Sequence, residues 1–159
     1  MKKKTKNLTH AALIAALYVV LTYAANMFGL ASGAVQIRIS EALTVLPYFT
    51  PAAIPGLFVG CVTANLLTGS TALDIVFGSL ATLLGALGTY ALRKKSKYLA
   101  PIPPIAANTI IIPCVLIYAG IPGAWWYLAL TVGAGEVISC GVLGIILINA
   151  LRKRADTIF

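Results

Sequence analysis

Acidic residues are scarce in this 159-residue chain: four Asp and Glu stand against twelve Lys and Arg, and only 10% of residues are charged. Histidine occurs once, at His10, which excludes a multi-histidine metal site, and His10 reads as an interfacial residue. Cys61, Cys114 and Cys140 are odd in number, far apart and without metal-ligand spacing. Within apolar stretches they are expected to be buried free thiols acting as small hydrophobes. No G-x-x-x-x-G-K-S/T phosphate loop is present, so the chain is not expected to hydrolyse ATP by that route. H-E-x-x-H and G-x-S-x-G are missing too. Catalysis has little to stand on, and neither a metal nor a cofactor is expected.

What the chain has instead is apolar surface: 60% hydrophobic residues and a mean hydropathy of +0.94. Such a composition excludes disorder and argues against a water-soluble core, leaving an all-α polytopic membrane protein. The net charge of +8 would suit nucleic acid if its location were ignored. The cations fall in three clusters, Lys2–Lys6, Arg93–Lys97 and Arg152–Arg154, each abutting an apolar span, with Arg38 alone elsewhere. Clusters at span ends are cytoplasmic flanks under the positive-inside rule, so nucleic acid is not the expected partner.

The length suits one membrane domain over 1–159: basic tails at 1–7 and 152–159 around a six-helix bundle at 8–151. The first span, 8–28, is too long for the roughly 7–15-residue core of a signal peptide and is read as retained, although Ala31-Ser32-Gly33 faintly resembles a cleavage site. Ala11, Ala12, Ala15 and Ala16 form two overlapping small-xxx-small pairs, suited to packing within the chain or to docking another subunit. Residues 28–36 read as an outer loop or lid. The second span, 37–50, ends where Pro51 and Pro55 bracket a turn, and is too short to cross unaided, hence tilted, broken or partly re-entrant. The remaining spans are expected at 53–67, 72–92, 99–119 and 125–151. In the fourth, Gly78, Ala81, Gly85 and Gly88 present a smooth packing face. In the fifth, Pro113 frees a backbone carbonyl one turn earlier, an opening that suits a cavity wall. Six crossings put both ends and all three basic clusters on the cytoplasmic side.

Polar residues inside this frame are costly in lipid and mark candidate sites. Glu136, in the sixth span, is the sharpest: it can accept two parallel hydrogen bonds, pair with Arg38, or stay protonated. Asn65 and Asn108 each offer a donor and an acceptor, for a heterocycle edge or for another helix. Arg38 and Glu41, three apart, are expected on one face of a helical turn at the outer rim, paired with each other or touching ligand. Asp74 is either an exposed helix-start acid or a ligand group. Tyr48 is a weaker candidate, and Trp125 and Tyr127 suit an interfacial belt.

The stretches ALIAALYVVLT, VQIRISEALTVLPYF, GSTALDIVFGSLATLLGALGTYALR and GAGEVISCGVLG resemble the QueT type of S-component, the substrate-binding subunit of energy-coupling factor (ECF) transporters. The resemblance covers nearly the whole chain. It implies a six-helix S-component fold in the bacterial plasma membrane and a pocket on the extracellular side. It implies a queuosine precursor as ligand, a 7-deazaguanine bearing a nitrile or an aminomethyl group. The partners it implies are a membrane T-component, docked on Ala11, Ala12, Ala15 and Ala16, and two ATP-hydrolysing subunits. For such a ligand, Glu136 is expected on the N–H donor edge, with Asn108 and Asn65 on the other polar atoms and Glu41, Arg38 and Asp74 at the rim. An aminomethyl cation would welcome a second acid. Two other classes remain open on the residues alone: a stand-alone carrier using Glu136 as a proton relay, and a small pore or scaffold protein.

Overall fold

The computed structural model describes residues 2–29 and 37–159. The expected outer loop lies almost wholly outside them, as does Ala31-Ser32-Gly33. Every regular element among the described residues is helical. Helix α1 spans Lys2–Met27; a 3-10 segment follows at Ile39–Tyr48, then α2 at Ala53–Leu67. Helix α3 runs over Asp74–Leu92, α4 over Ile102–Tyr118 and α5 over Trp125–Arg152. A short α6, Ala155–Ile158, completes the order. The six expected spans therefore match α1, the 3-10 segment and α2–α5, and this is an all-helical polytopic membrane protein.

Among the described residues, four helical stretches are long and apolar enough to cross a bilayer, α4 counting from Lys97; α2 is shorter. Their outward faces carry large apolar side chains such as Leu13, Val20, Leu84, Ile110, Leu130 and Ile146. In water such a surface would be an association hazard, whereas acyl chains match it. Because lipid is as apolar as leucine, close backbone approach has to hold the bundle together. A Cβ on Gly56 would lie 2.6 Å from the Ala11 carbonyl oxygen, and one on Gly60 would lie 3.0 Å from Ala15 Cα. The alanine face therefore splits: Ala11 and Ala15 pack against α2, whereas Ala12 and Ala16 are exposed. Across the bundle, Gly85 and Gly88 take in Pro104 and Pro103.

The 3-10 segment lies at the centre, with Ser40 through Pro47 all buried. At a rise of ~2.0 Å per residue such a helix falls well short of a ~30 Å hydrocarbon core. A ten-residue 3-10 run with an internal proline would expose poorly bonded backbone to lipid; surrounded by protein, it is tolerated. Two further departures from α geometry are π turns, Asp74–Gly78 at the start of α3 and Val137–Leu143 within α5.

The basic clusters share one end of the bundle. Lys6 Nζ donates to the Phe159 carbonyl at 2.9 Å, and Lys97 Nζ to Asn149 Oδ1 at 2.7 Å. Phe159 stacks on Phe49 and meets His10 edge-on. Cys61 and Cys140 are buried as expected, but Cys114 is exposed on α4. A thiol is apolar enough to sit on a bilayer-facing surface, so its membership of an apolar span did not fix which way it faces.

Candidate functional site

The polar residues gather on two levels in the half of the bundle away from the basic clusters. At the inner level Glu41 is 1% exposed and Glu136 6%. The Tyr18 hydroxyl, from mid-α1, donates to Glu41 Oε1. Asn108 Nδ2, from α4, donates to Glu41 Oε2 at 3.5 Å, the long limit of a hydrogen bond. Glu136 closes the α-helical half of α5, and Cys140, one turn on, donates to its Oε2 at 3.1 Å. The same Cys140 sulfur lies 3.3 Å from both the Glu41 carbonyl oxygen and Thr44 Oγ1. The π turn thus faces the 3-10 segment through one thiol, and one ligating atom each from Glu41, Glu136 and Cys140 lies within 4.8 Å of the others. Arg38, Asn108, Ile112, Val132 and Glu136 line a crevice of about 10 Å³ beside them, room for a single water.

The outer level is larger. Thr22, Asn26, Arg38, Asn65, Thr68 and Asp74 are among the residues around a cavity of about 240 Å³. Arg38 Nη2 meets Asp74 Oδ2 at 3.5 Å. Asn65 Nδ2 donates to the Asp74 carbonyl at 3.3 Å and to Cys61 Sγ at 3.6 Å. Thr71 Oγ1 accepts from the Asp74 backbone N–H, fixing the first turn of α3. Gly78 leaves room here, since a Cβ would stand 3.0 Å from Asp74 Oδ1. Arg38 borders both levels and divides them.

Two expectations about placement are corrected. Arg38 does not pair with Glu41: it caps the 3-10 segment in an extended conformation, φ −97° and ψ 95°, and its guanidinium meets Asp74. Glu41 is not at the rim but buried within the polar cluster, because the segment carrying it is surrounded by the other helices. The structure brings Glu136, Asn108 and Glu41 together inside, and Asn65, Asp74 and Arg38 above them. Tyr48 lies edge-on to Phe49, toward the basic end. Trp125 and Tyr127 are exposed, as a belt requires.

Tyr18 and Cys140 were missed. A buried tyrosine hydroxyl needs a partner, so a tyrosine in the middle of a span was a usable signal. Cys140 stands four residues after Glu136, the spacing of helical neighbours. The two carboxylates and the thiol are also possible ligands for a divalent cation. Both Glu41 oxygens and Glu136 Oε2 already accept from O–H, N–H and S–H donors.

A multi-pass helical bundle with acids and amides buried beneath a polar cavity is the architecture of a membrane protein that handles a small polar solute. Residues 8–153 match the model of the QueT transporter family, and the chain belongs to that family. The Queuosine precursor transporter QueT of Lactococcus lactis subsp. cremoris (strain MG1363) is 35% identical over 83 residues, which are 52% of this chain and 48% of that protein. The matched stretch thus spans about half the length of that relative. No solved structure matches the chain.

Proposed function

We propose that this chain is the substrate-binding subunit of an ECF-type importer for a queuosine precursor of the 7-deazaguanine class, with ATP hydrolysis supplied by partner subunits. The observation that carries the reading is the pairing of Glu136 and Asn108 at a buried crevice, directly below a polar cavity of about 240 Å³. A deazaguanine presents adjacent N–H donors that one carboxylate accepts together, and a carbonyl that an amide N–H satisfies. Glu136 takes the donor edge, Asn108 and Asn65 the remaining polar atoms, and Arg38 with Asp74 forms the outer rim. Selectivity comes from the cost of leaving these buried groups unpaired by a wrong guest. The name of the Lactococcus relative supports the ligand class.

The partner assignment draws on the alanine face. Ala11, Ala12 and Ala15 lie beside Lys4, Leu8 and Val59 along a groove of about 590 Å³ at the basic end of α1 and α2. Such a shallow, small-residue surface suits close approach of a T-component helix. The clustering of Lys6 with Phe159 and of Lys97 with Asn149 supports a single cytoplasmic face, and the whole chain is one membrane domain.

Mass spectrometry of small molecules co-purifying with the detergent-solubilised chain tests the ligand, and a 7-deazaguanine is the expected mass. Uptake into vesicles tests the machinery: transport should require the ATPase module and ATP. A stand-alone proton-coupled carrier is the rival, favoured by the buried line Tyr18, Glu41 and Glu136. Uptake by this chain alone, driven by a pH gradient, would replace the importer reading with it.

A further inference from the structure

The inner carboxylates raise a charge question that the binding role of Glu136 leaves unanswered. Three acids, Glu41, Asp74 and Glu136, face one cation, Arg38, whose guanidinium is paired with Asp74. The other titratable groups turned toward them are Tyr18 from α1, Cys61 from α2 and Cys140 from α5. Tyrosine and cysteine are ordinarily neutral near neutral pH and supply no positive charge. With Arg38 and Asp74 cancelling, Glu41 and Glu136 remain, with oxygens within 4.8 Å of each other and almost no exposure. Two carboxylates so close in a water-poor interior do not both stay ionised unless a cation joins them.

We propose that Glu41 and Glu136 share one proton when the site is empty and exchange it for the cationic arm of the ligand, so that the site selects an aminomethyl-bearing 7-deazaguanine over its nitrile counterpart. The inference rests on the ligand class proposed above and adds the charge of the substituent. The charge balances. Empty, two carboxylates and one proton carry one negative charge; filled, two carboxylates and one ammonium carry the same, and the displaced proton leaves to water.

The kinds of group fit this edge. An aminomethyl-deazaguanine presents along one side its ring N–H donors, then a carbonyl oxygen, then the ammonium of the side arm. The site offers two acids and an amide close together: Glu136 and Asn108 line the crevice, and Asn108 also donates to Glu41 at 3.5 Å. Tyr18 holds Glu41 from the far side, and a carboxylate has capacity for a further donor. A nitrile would instead turn a lone pair toward Glu41. The crevice now admits only a water, so the ring enters from the outer cavity and Arg38, which borders both, moves aside.

Calorimetric titration of the full-length chain in detergent tests this, with 7-aminomethyl-7-deazaguanine and 7-cyano-7-deazaguanine near neutral pH in two buffers of different ionisation enthalpy. The aminomethyl compound should bind at least about tenfold more tightly, as a charge-assisted bond predicts, and release close to one proton. The nitrile should release none. Glu41→Gln should remove the preference for the aminomethyl compound and, with it, the proton release. If that variant does not fold, the proton count of the wild-type chain carries the test. Equal affinities, or tight aminomethyl binding with no buffer dependence, would overturn the exchange and leave the deazaguanine reading standing. Failure of a folded chain to bind either compound would overturn that reading itself.

Discussion

The two halves of this bundle are made from the same helices and packed in opposite ways. Toward the basic end, α3 and α4 pack closely, with Pro104 Cα 2.6 Å from where a Gly85 Cβ would be and Pro103 Cβ 2.4 Å from one on Gly88. There too Val45, Ala100 and Ile148 are fully buried together, and Thr89 ties α3 to the Ala100 carbonyl at 2.7 Å. Toward the other end the same α3 begins in a π turn around Asp74, and the space between helices is a polar cavity. All three acids inside the bundle sit at a departure from α geometry: Glu41 in the 3-10 segment, Asp74 in one π turn and Glu136 just before the other. A close-packed half holds the helices rigidly, so that the other half can leave polar groups and irregular backbone around a void. Irregular backbone at membrane depth is tolerated where protein or a cavity, rather than lipid, surrounds it.

Substitutions at the two ends should therefore fail in different measurements. The largest effect is expected from Gly85→Val, which drives a side chain into the Pro104 backbone. Overpacking of this kind costs about 1–3 kcal/mol or more, read as a lowered thermal transition of the purified protein. Unchanged stability would show that α3 and α4 are not tightly apposed. Glu136→Gln should leave that transition nearly intact and weaken ligand binding by roughly 1.5–3 kcal/mol, the range for hydrogen bonds to a charged group. Calorimetry finding undiminished affinity would take Glu136 out of the site. Asp74→Asn, at a partly exposed ion pair with Arg38, should shift affinity by only about 0.2–1 kcal/mol. Smallest at the site is Ala12→Leu, for which no change in ligand affinity is expected. Its effect belongs to ATP-driven uptake, which should fall if that outward face docks a partner, and normal uptake would discard the groove.

Much of this was legible because a bilayer restricts the choices. Long charge-free runs and the basic clusters set the number and approximate limits of the spans, and Pro51 and Pro55 marked the second as too short to cross unaided. The glycine face of α3 was readable because close approach in lipid requires small residues. The proline at position 113 is buried, and its neighbour Ile112 lines the inner crevice. Less was legible of the site. Spacing allowed Arg38 to pair with Glu41, but its guanidinium meets Asp74, 36 positions on, which no local spacing reaches. Nor did periodicity tell which alanines α2 would cover, since both pairs satisfy the same pattern.

Sequence alone determined that the chain lives in a membrane, crosses it as helices and carries too few polar residues there for any to be idle, because burying each without a partner in hydrocarbon is expensive. Only the tertiary structure decided which of them meet. The approach of Glu41 to Glu136, residues almost a hundred positions apart, depends on a 3-10 segment threading the centre and a π turn facing it. Those are products of packing among helices, and no local pattern of residues encodes them.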